Sequence, residues 1–213
     1  MTLTAAERTI NERSTFVYRA FVADGDGAAV PLAGITSLKL SLYDRLSFPN
    51  GPASSSDVLN SRYEQNVLNL NNVTYASSSA AISAASNTSP IVVTSVGHGL
   101  VTGDVINIIG VIGNDGANNS LTRNPVWTID KLSSDTFSLD GSSGTGAYVS
   151  GGTWSKSLLT WTMQPLDNQI VSASLVYDEL EEHVACFEFI WTTGQKYHTW
   201  SPLVRCLGIG VPF

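Results

Sequence analysis

The feature that most constrains this chain is the run Glu182-His183-Val184-Ala185-Cys186-Phe187-Glu188-Phe189-Ile190-Trp191, bounded by Thr192-Thr193-Gly194-Gln195 and followed by a second apolar run over residues 203–209. At the two-residue period of a strand, Ala185, Phe187, Phe189 and Trp191 share one face, a bulky row suited to the middle of a sandwich. Val184, Cys186, Glu188 and Ile190 take the other face, which is also largely covered. A strand apolar on both sides is an inner strand, and the rest of the chain must supply its neighbours.

Candidate neighbours recur along the chain. Residues 16–22 read as a first strand, and Asp24-Gly25-Asp26-Gly27 as a turn, since its spacing lacks the further carboxylates of a calcium loop. Residues 35–43 alternate cleanly, with Leu38, Leu40 and Leu42 inward and Ser37, Lys39 and Ser41 outward. Residues 47–60 carry Pro49, Asn50-Gly51, Pro52 and three consecutive serines, a long surface loop with a short helix expected around residues 57–65. Extended structure resumes over 67–75, and residues 159–163 and 170–177 supply two more strands. Residues 1–13 read as a polar arm, loose or docked on a neighbour.

Between these strands the composition changes. Residues 76–89 are almost all Ala, Ser, Thr and Asn, a linker-like tract. Short strands are then expected at 91–94, 104–109, 126–129, 136–139 and 147–149, separated by Gly, Asn and Asp turns, and Gly151-Gly152-Thr153-Trp154 closes the set. That spacing predicts a small β-barrel. Tyr75 and Leu158 would sit on either side of one loop, a site where insertions are tolerated. The expected organisation is all-β: a discontinuous sandwich of about seven strands from residues 1–77 plus 157–213, with a barrel over residues 78–156 inserted in one loop.

Charge and composition limit the function. Hydrophobic residues make up 43% and charged residues only 14%, against roughly 25% in ordinary soluble domains. The net charge of −7, without any basic run, argues against a surface that tracks nucleic-acid phosphates. No apolar run reaches the roughly 18 residues of a membrane span, and no apolar leader follows a basic start, so synthesis in a cytoplasm without membrane insertion is expected. Cys186 and Cys206 would lie about opposite each other if the last hairpin turned near Lys196; a disulfide and two buried thiols both fit, the thiols suiting a cytoplasmic product. Two Cys and three scattered His give no metal-ligand spacing, and no cofactor motif is present.

Two resemblances bear on function. Ser89-Pro90-Ile91-Val92-Val93-Thr94, His98-Gly99-Leu100, Thr102-Gly103-Asp104-Val105, Thr136-Phe137-Ser138-Leu139 and Gly151-Gly152-Thr153-Trp154 together resemble a small β module of tailed-bacteriophage structural proteins, often labelled after the FCCH domain of ubiquitin-activating enzymes. Val30-Pro31-Leu32-Ala33-Gly34-Ile35, with Phe187-Glu188-Phe189 and Thr193-Gly194, resembles the immunoglobulin-like N-terminal domains of phage baseplate and tail accessory proteins. These resemblances imply an immunoglobulin-like sandwich in a non-enzymatic virion protein, located in the tail, baseplate or neck, whose partners are other virion proteins and copies of itself.

Individual residues admit sharper readings. His98 beside Asp104 could be a general base, or could fix a turn between strands. His183 among Glu179, Glu181 and Glu182 could hold a cation, or belong to a solvated acidic corner. Carboxylates for glycoside hydrolysis would have to come from Asp167, Asp178 or residues 179–182. Trp127, Trp154, Trp161, Trp191 and Trp200 could line a sugar groove, which would make the chain a receptor module for a host surface glycan; decoration of the capsid is a further alternative. The interface candidates are Tyr197 and Trp200 beyond the last turn, and Ile209, Val211 and Phe213 in the uncharged tail.

Overall fold

In a computed structural model the chain is described over residues 2–4, 8–11, 14–23, 29–45, 47–120, 126–170, 180–194 and 196–207; for residues 2–11, 180 and 196–207 the description is of the backbone alone. The strands are β1 (Thr2–Thr4), β2 (Arg8–Asn11), β3 (Phe16–Ala23), β4 (Ile35–Asp44), β5 (Gln65–Asn66), β6 (Val73–Ala81), β7 (Ala84–Ala85), β8 (Ile91–Thr94), β9 (Val105–Ile112), β10 (Trp127–Lys131), β11 (Thr136–Leu139), β12 (Ser150–Met163), β13 (Leu180–Trp191) and β14 (Lys196–Leu207). The fold is all-β, as the sequence predicts.

Two sheets make the sandwich. One runs β2-β14-β13-β4-β5, with β13 inside it between β14 and β4; the other is built from β1, β3, β12 and β6. The inward rows meet between them: Tyr18, Ala20 and Val22 of β3, Leu38, Leu40 and Leu42 of β4, Val73 and Tyr75 of β6, Leu159, Trp161 and Met163 of β12, and Ala185, Phe187 and Phe189 of β13. The Phe187 ring stands edge-on to Trp161 at 6.0 Å and stacks on Tyr18 at 6.1 Å, while Tyr75 meets Phe189 at 5.6 Å. The bulky alternation of residues 185–189 is thus the row that joins the two sheets.

The second core belongs to a closed barrel. From β12 the pairing runs through β9, β10, β11 and β8 to β7. β7 continues β6 after two residues, and across that gap the Ile82 and Ser83 amides donate to the Gly152 and Thr94 carbonyls. β6 pairs with β12, so the circuit returns to its start. Ile91, Val93, Ile106, Ile108, Ile129, Phe137, Leu139 and Trp154 fill the inside. Gly110 and Gly152 lie at the same level of the β9–β12 pair, both with positive φ, and a Cβ on Gly152 would approach Val111 Cγ2 to 2.6 Å. Glycine is required there to turn the sheet into a barrel.

β6 and β12 connect the two cores without interruption. They pair residue by residue from Val73↔Trp161 to Ala81↔Thr153. Beyond this, the other edge of β12 serves β3 over residues 158–163 and β9 over residues 150–155. The faces divide by parity: Trp154 of β12 points into the barrel, whereas Ser157, Leu159, Trp161 and Met163 point the other way. Trp161 lies seven positions after Trp154, an odd offset, so one strand presents two tryptophans to two cores on opposite sides.

Several expectations are corrected. The tract 76–89 is not a linker: through Ala81 it is strand, because its small side chains suit a ribbon whose outer surface is exposed. Tyr75 pairs with Leu159 and Ser77 with Ser157, so the chain runs into the barrel and back from it along this one paired ribbon. Residues 57–65 form only a 3-10 turn at Leu59–Ser61, with positive φ at Asn60, Ser61 and Glu64 that no helix accommodates. Extended structure begins at Val73 rather than at 67, since Asn69, Asn71 and Asn72 take left-handed conformations. Residues 147–149 are not a strand; the Tyr148 hydroxyl bridges the Ile82 and Gly151 carbonyls. The N-terminal arm contributes β1, antiparallel to β3, and β2, parallel to β14, so its described parts dock on the chain's own sheets. The turn at 24–27 and the strand expected at 171–177 lie outside the described residues.

Candidate functional site

The residues singled out from the sequence separate into groups. His98 fixes a turn: its Nδ1 accepts the Leu100 amide at 3.0 Å, its Nε2 lies 3.2 Å from the Ser133 carbonyl, and its ring packs on Phe137. Asp104 is engaged elsewhere, so no acid–base pair forms at His98. His183 is fully buried and Glu181 nearly so, with Nε2 and Oε1 2.5 Å apart. The expected solvated corner is thus an internal pair: β13 keeps an unbroken register with β4 from Ala185 to His183, so residue 183 has the parity of the buried Ala185, Phe187 and Phe189, and the one-residue bulge beside it falls on β14 at Leu203. Glu182 alone of the described acidic residues there faces solvent, bonded to Arg45.

Asp167 is buried and saturated. Its carboxylate takes Arg62 Nε at 2.9 Å, Asn60 Nδ2 at 2.7 Å and the Gln164 amide at 2.8 Å. This clamp ties residues 60–65 to the 3-10 turn Pro165–Asn168, and a carboxylate so occupied cannot face a glycosidic bond. Asp178 and Glu179 lie outside the described residues. Among the described residues no group of His, Cys, Asp and Glu could hold a metal ion, and no helix is long and apolar enough to cross a membrane.

Trp127, Trp154 and Trp161 are buried, and Trp191 is partly buried against the sandwich core. Trp127 Nε1 donates to the Ala117 carbonyl and Trp154 Nε1 to Ser95 Oγ. These indoles belong to cores, not to a sugar groove. Tyr197 and Trp200 fall on β14, opposite Phe189 and Cys186, and their side chains lie outside the described residues, as do Ile209, Val211 and Phe213 altogether. Cys186 is a free thiol. The hairpin turns at Thr192–Gly194 rather than at Lys196, so Cys206 sits opposite Glu181, several rows from Cys186, and the expected juxtaposition does not occur. Burial pushes the Cys186 thiol up to about 11, with Glu188 adding to the effect.

A cleft that the sequence does not announce lies where the barrel meets the sandwich. The turn at 95–104 occupies the barrel end nearest the sandwich, because β9 leaves it to pair Asn107 with Ser155 halfway along β12. Facing it is the outer surface of β3 and β12. Together they enclose about 580 Å³, with Arg19, Phe21, Leu158 and Thr160 on the sandwich side and Val101, Asp104 and Thr128 on the barrel side. Lys156 crosses the cleft to place Nζ 2.5 Å from Asp104 Oδ1, while Asp104 Oδ2 accepts the Val101 amide at 3.0 Å. Arg19 is exposed and has no ion pair among the described residues. The local signal was an arginine and a lysine at outward strand positions; the meeting of Lys156 with Asp104, and the place of Arg19 in the same cleft, depend on the barrel's orientation.

No protein-family model and no curated protein matches the chain.

Proposed function

We propose that this chain is a non-enzymatic structural protein of a tailed-bacteriophage virion, an accessory or adaptor of the tail, baseplate or neck that acts through contacts with copies of itself and with other virion proteins. The observation that carries this reading is the β6–β12 ribbon. It holds the barrel on the sandwich by unbroken strand pairing rather than by a linker, so the barrel is a fixed projection, suited to a part that must keep its orientation in a repeated assembly. The motifs that resemble the phage module fall on β8, β11, the start of β12 and the turn before β9, which supports their belonging to one folding unit. The engagement of Asp167, Glu181 and Glu182 in structural bonds supports a role without turnover.

Gold-labelled antibody raised against the barrel tests the reading on purified particles. Label confined to the tail end is expected. Label scattered over the head would make the chain a capsid decoration protein, and particles without label would contradict a virion role.

A further inference from the structure

We propose that the cleft between barrel and sandwich binds a hydroxylated monocarboxylate, of the sugar-acid class. Its volume of about 580 Å³ lies within the range of small-molecule sites, and it sits between two packed units, where such sites concentrate. The ligand class follows from the lining. Arg19 brings a guanidinium with no ion pair among the described residues, and a planar fork of this kind takes a carboxylate in two parallel hydrogen bonds. The second cation, Lys156, is already matched by Asp104, so the described lining of the cleft has one uncompensated positive charge and suits one negative charge.

A phosphate is the poorer fit. The Val101, Gly103 and Asp104 amides of the turn are committed to Asp104 Oδ2, the Ile129 carbonyl and the Val101 carbonyl, which leaves no cradle of free N–H groups at these three positions. A nucleotide base lacks a stacking partner, since Phe21 is only 4% exposed. The Thr128 and Thr160 hydroxyls have no hydrogen-bond partner among the described residues and can bond ligand hydroxyls, while Val101, Val105 and Leu158 offer apolar surface to a C–H face. The inference concerns the isolated protein and does not depend on the virion reading.

Ligand-detected NMR on the full chain, with galacturonate as the probe, tests it. Saturation transfer to galacturonate is expected, with galactose and acetate each much weaker, because one lacks the charge and the other the hydroxyls. Arg19→Gln should weaken binding by about tenfold or more, the loss expected for a charge-assisted pair, with an unchanged melting curve. Asp104→Asn should tighten binding, because it releases Lys156 toward the ligand; a merely structural role for Asp104 would leave affinity unchanged or lower it. Absence of transfer to galacturonate, transfer equal to that of acetate or galactose, or undiminished binding by Arg19→Gln would each overturn the proposal.

Discussion

The sandwich and the barrel solve the problem of burying a β core in different ways. The sandwich brings two sheets together through large rings, with Phe187 against Trp161 and Tyr18, and Phe189 against Tyr75. It also anchors its long 47–66 connection with the buried Arg62–Asp167 pair. The buried core described for the barrel sets Trp127, Trp154 and Phe137 among smaller aliphatic residues, and the barrel relies on closing its hydrogen-bond circuit. Closure demands close backbone approaches: a Cβ on Gly113, whose φ is +92°, would stand 2.2 Å from the Ala147 carbonyl oxygen. One core therefore depends on volume and the other on the absence of side chains at corners.

The largest expected effect comes from separating the two. Ser77 and Ser157 are direct partners across the ribbon, so excising residues 78–156 and joining the ends with a short Gly-Ser turn should leave a sandwich that still melts cooperatively. A non-cooperative melt would show that the sandwich needs the barrel. Phe187→Ala should cost about 4 kcal/mol, seen as faster amide exchange in β4 and β13 with little change in β8 and β11. Asp167→Asn leaves the buried Arg62 without its charge partner and should cost about 3 kcal/mol by urea unfolding. Gly113→Ala should cost about 2 kcal/mol from strain and overlap, this time with the exchange of β8 and β11 affected and that of β4 and β13 spared.

Alkaline pH should act on the sandwich in a defined direction. Burial raises the Cys186 thiol from about 9 to about 11 and the Tyr43 hydroxyl from about 10 to about 12. Between those values the unfolded chain releases protons that the folded chain retains, so stability present below pH 9 is lost as pH rises toward 12. Cys186→Ser should remove the portion lost between pH 9 and 11, read from urea midpoints across the range.

Much of the fold was legible in the sequence, because period-two alternation reports burial directly. Leu38, Leu40 and Leu42 are almost wholly buried, and Phe187 and Phe189 form the central row. The barrel strands at 91–94 and 136–139 match their expected bounds for the same reason. What escaped were features set by pairing rather than by side-chain pattern. The Ala/Ser tract after Tyr75 has no apolar alternation, yet it is strand because β12 satisfies its backbone. The position of the cysteines likewise follows from a turn slightly earlier than expected, whereas the burial of His183 follows the alternation of Ala185, Phe187 and Phe189. Arg19 and Asp104, distant in sequence, line one cleft because the ribbon fixes the barrel's orientation.

Amide hydrogen exchange along β12 tests that ribbon most directly. Unbroken pairing predicts slow exchange carried without a gap from Thr153 to Trp161, through the point where the strand changes which face it buries. A fast-exchanging break at residues 155–158 would mean two units joined by a hinge, and would contradict the account of the barrel as a fixed projection.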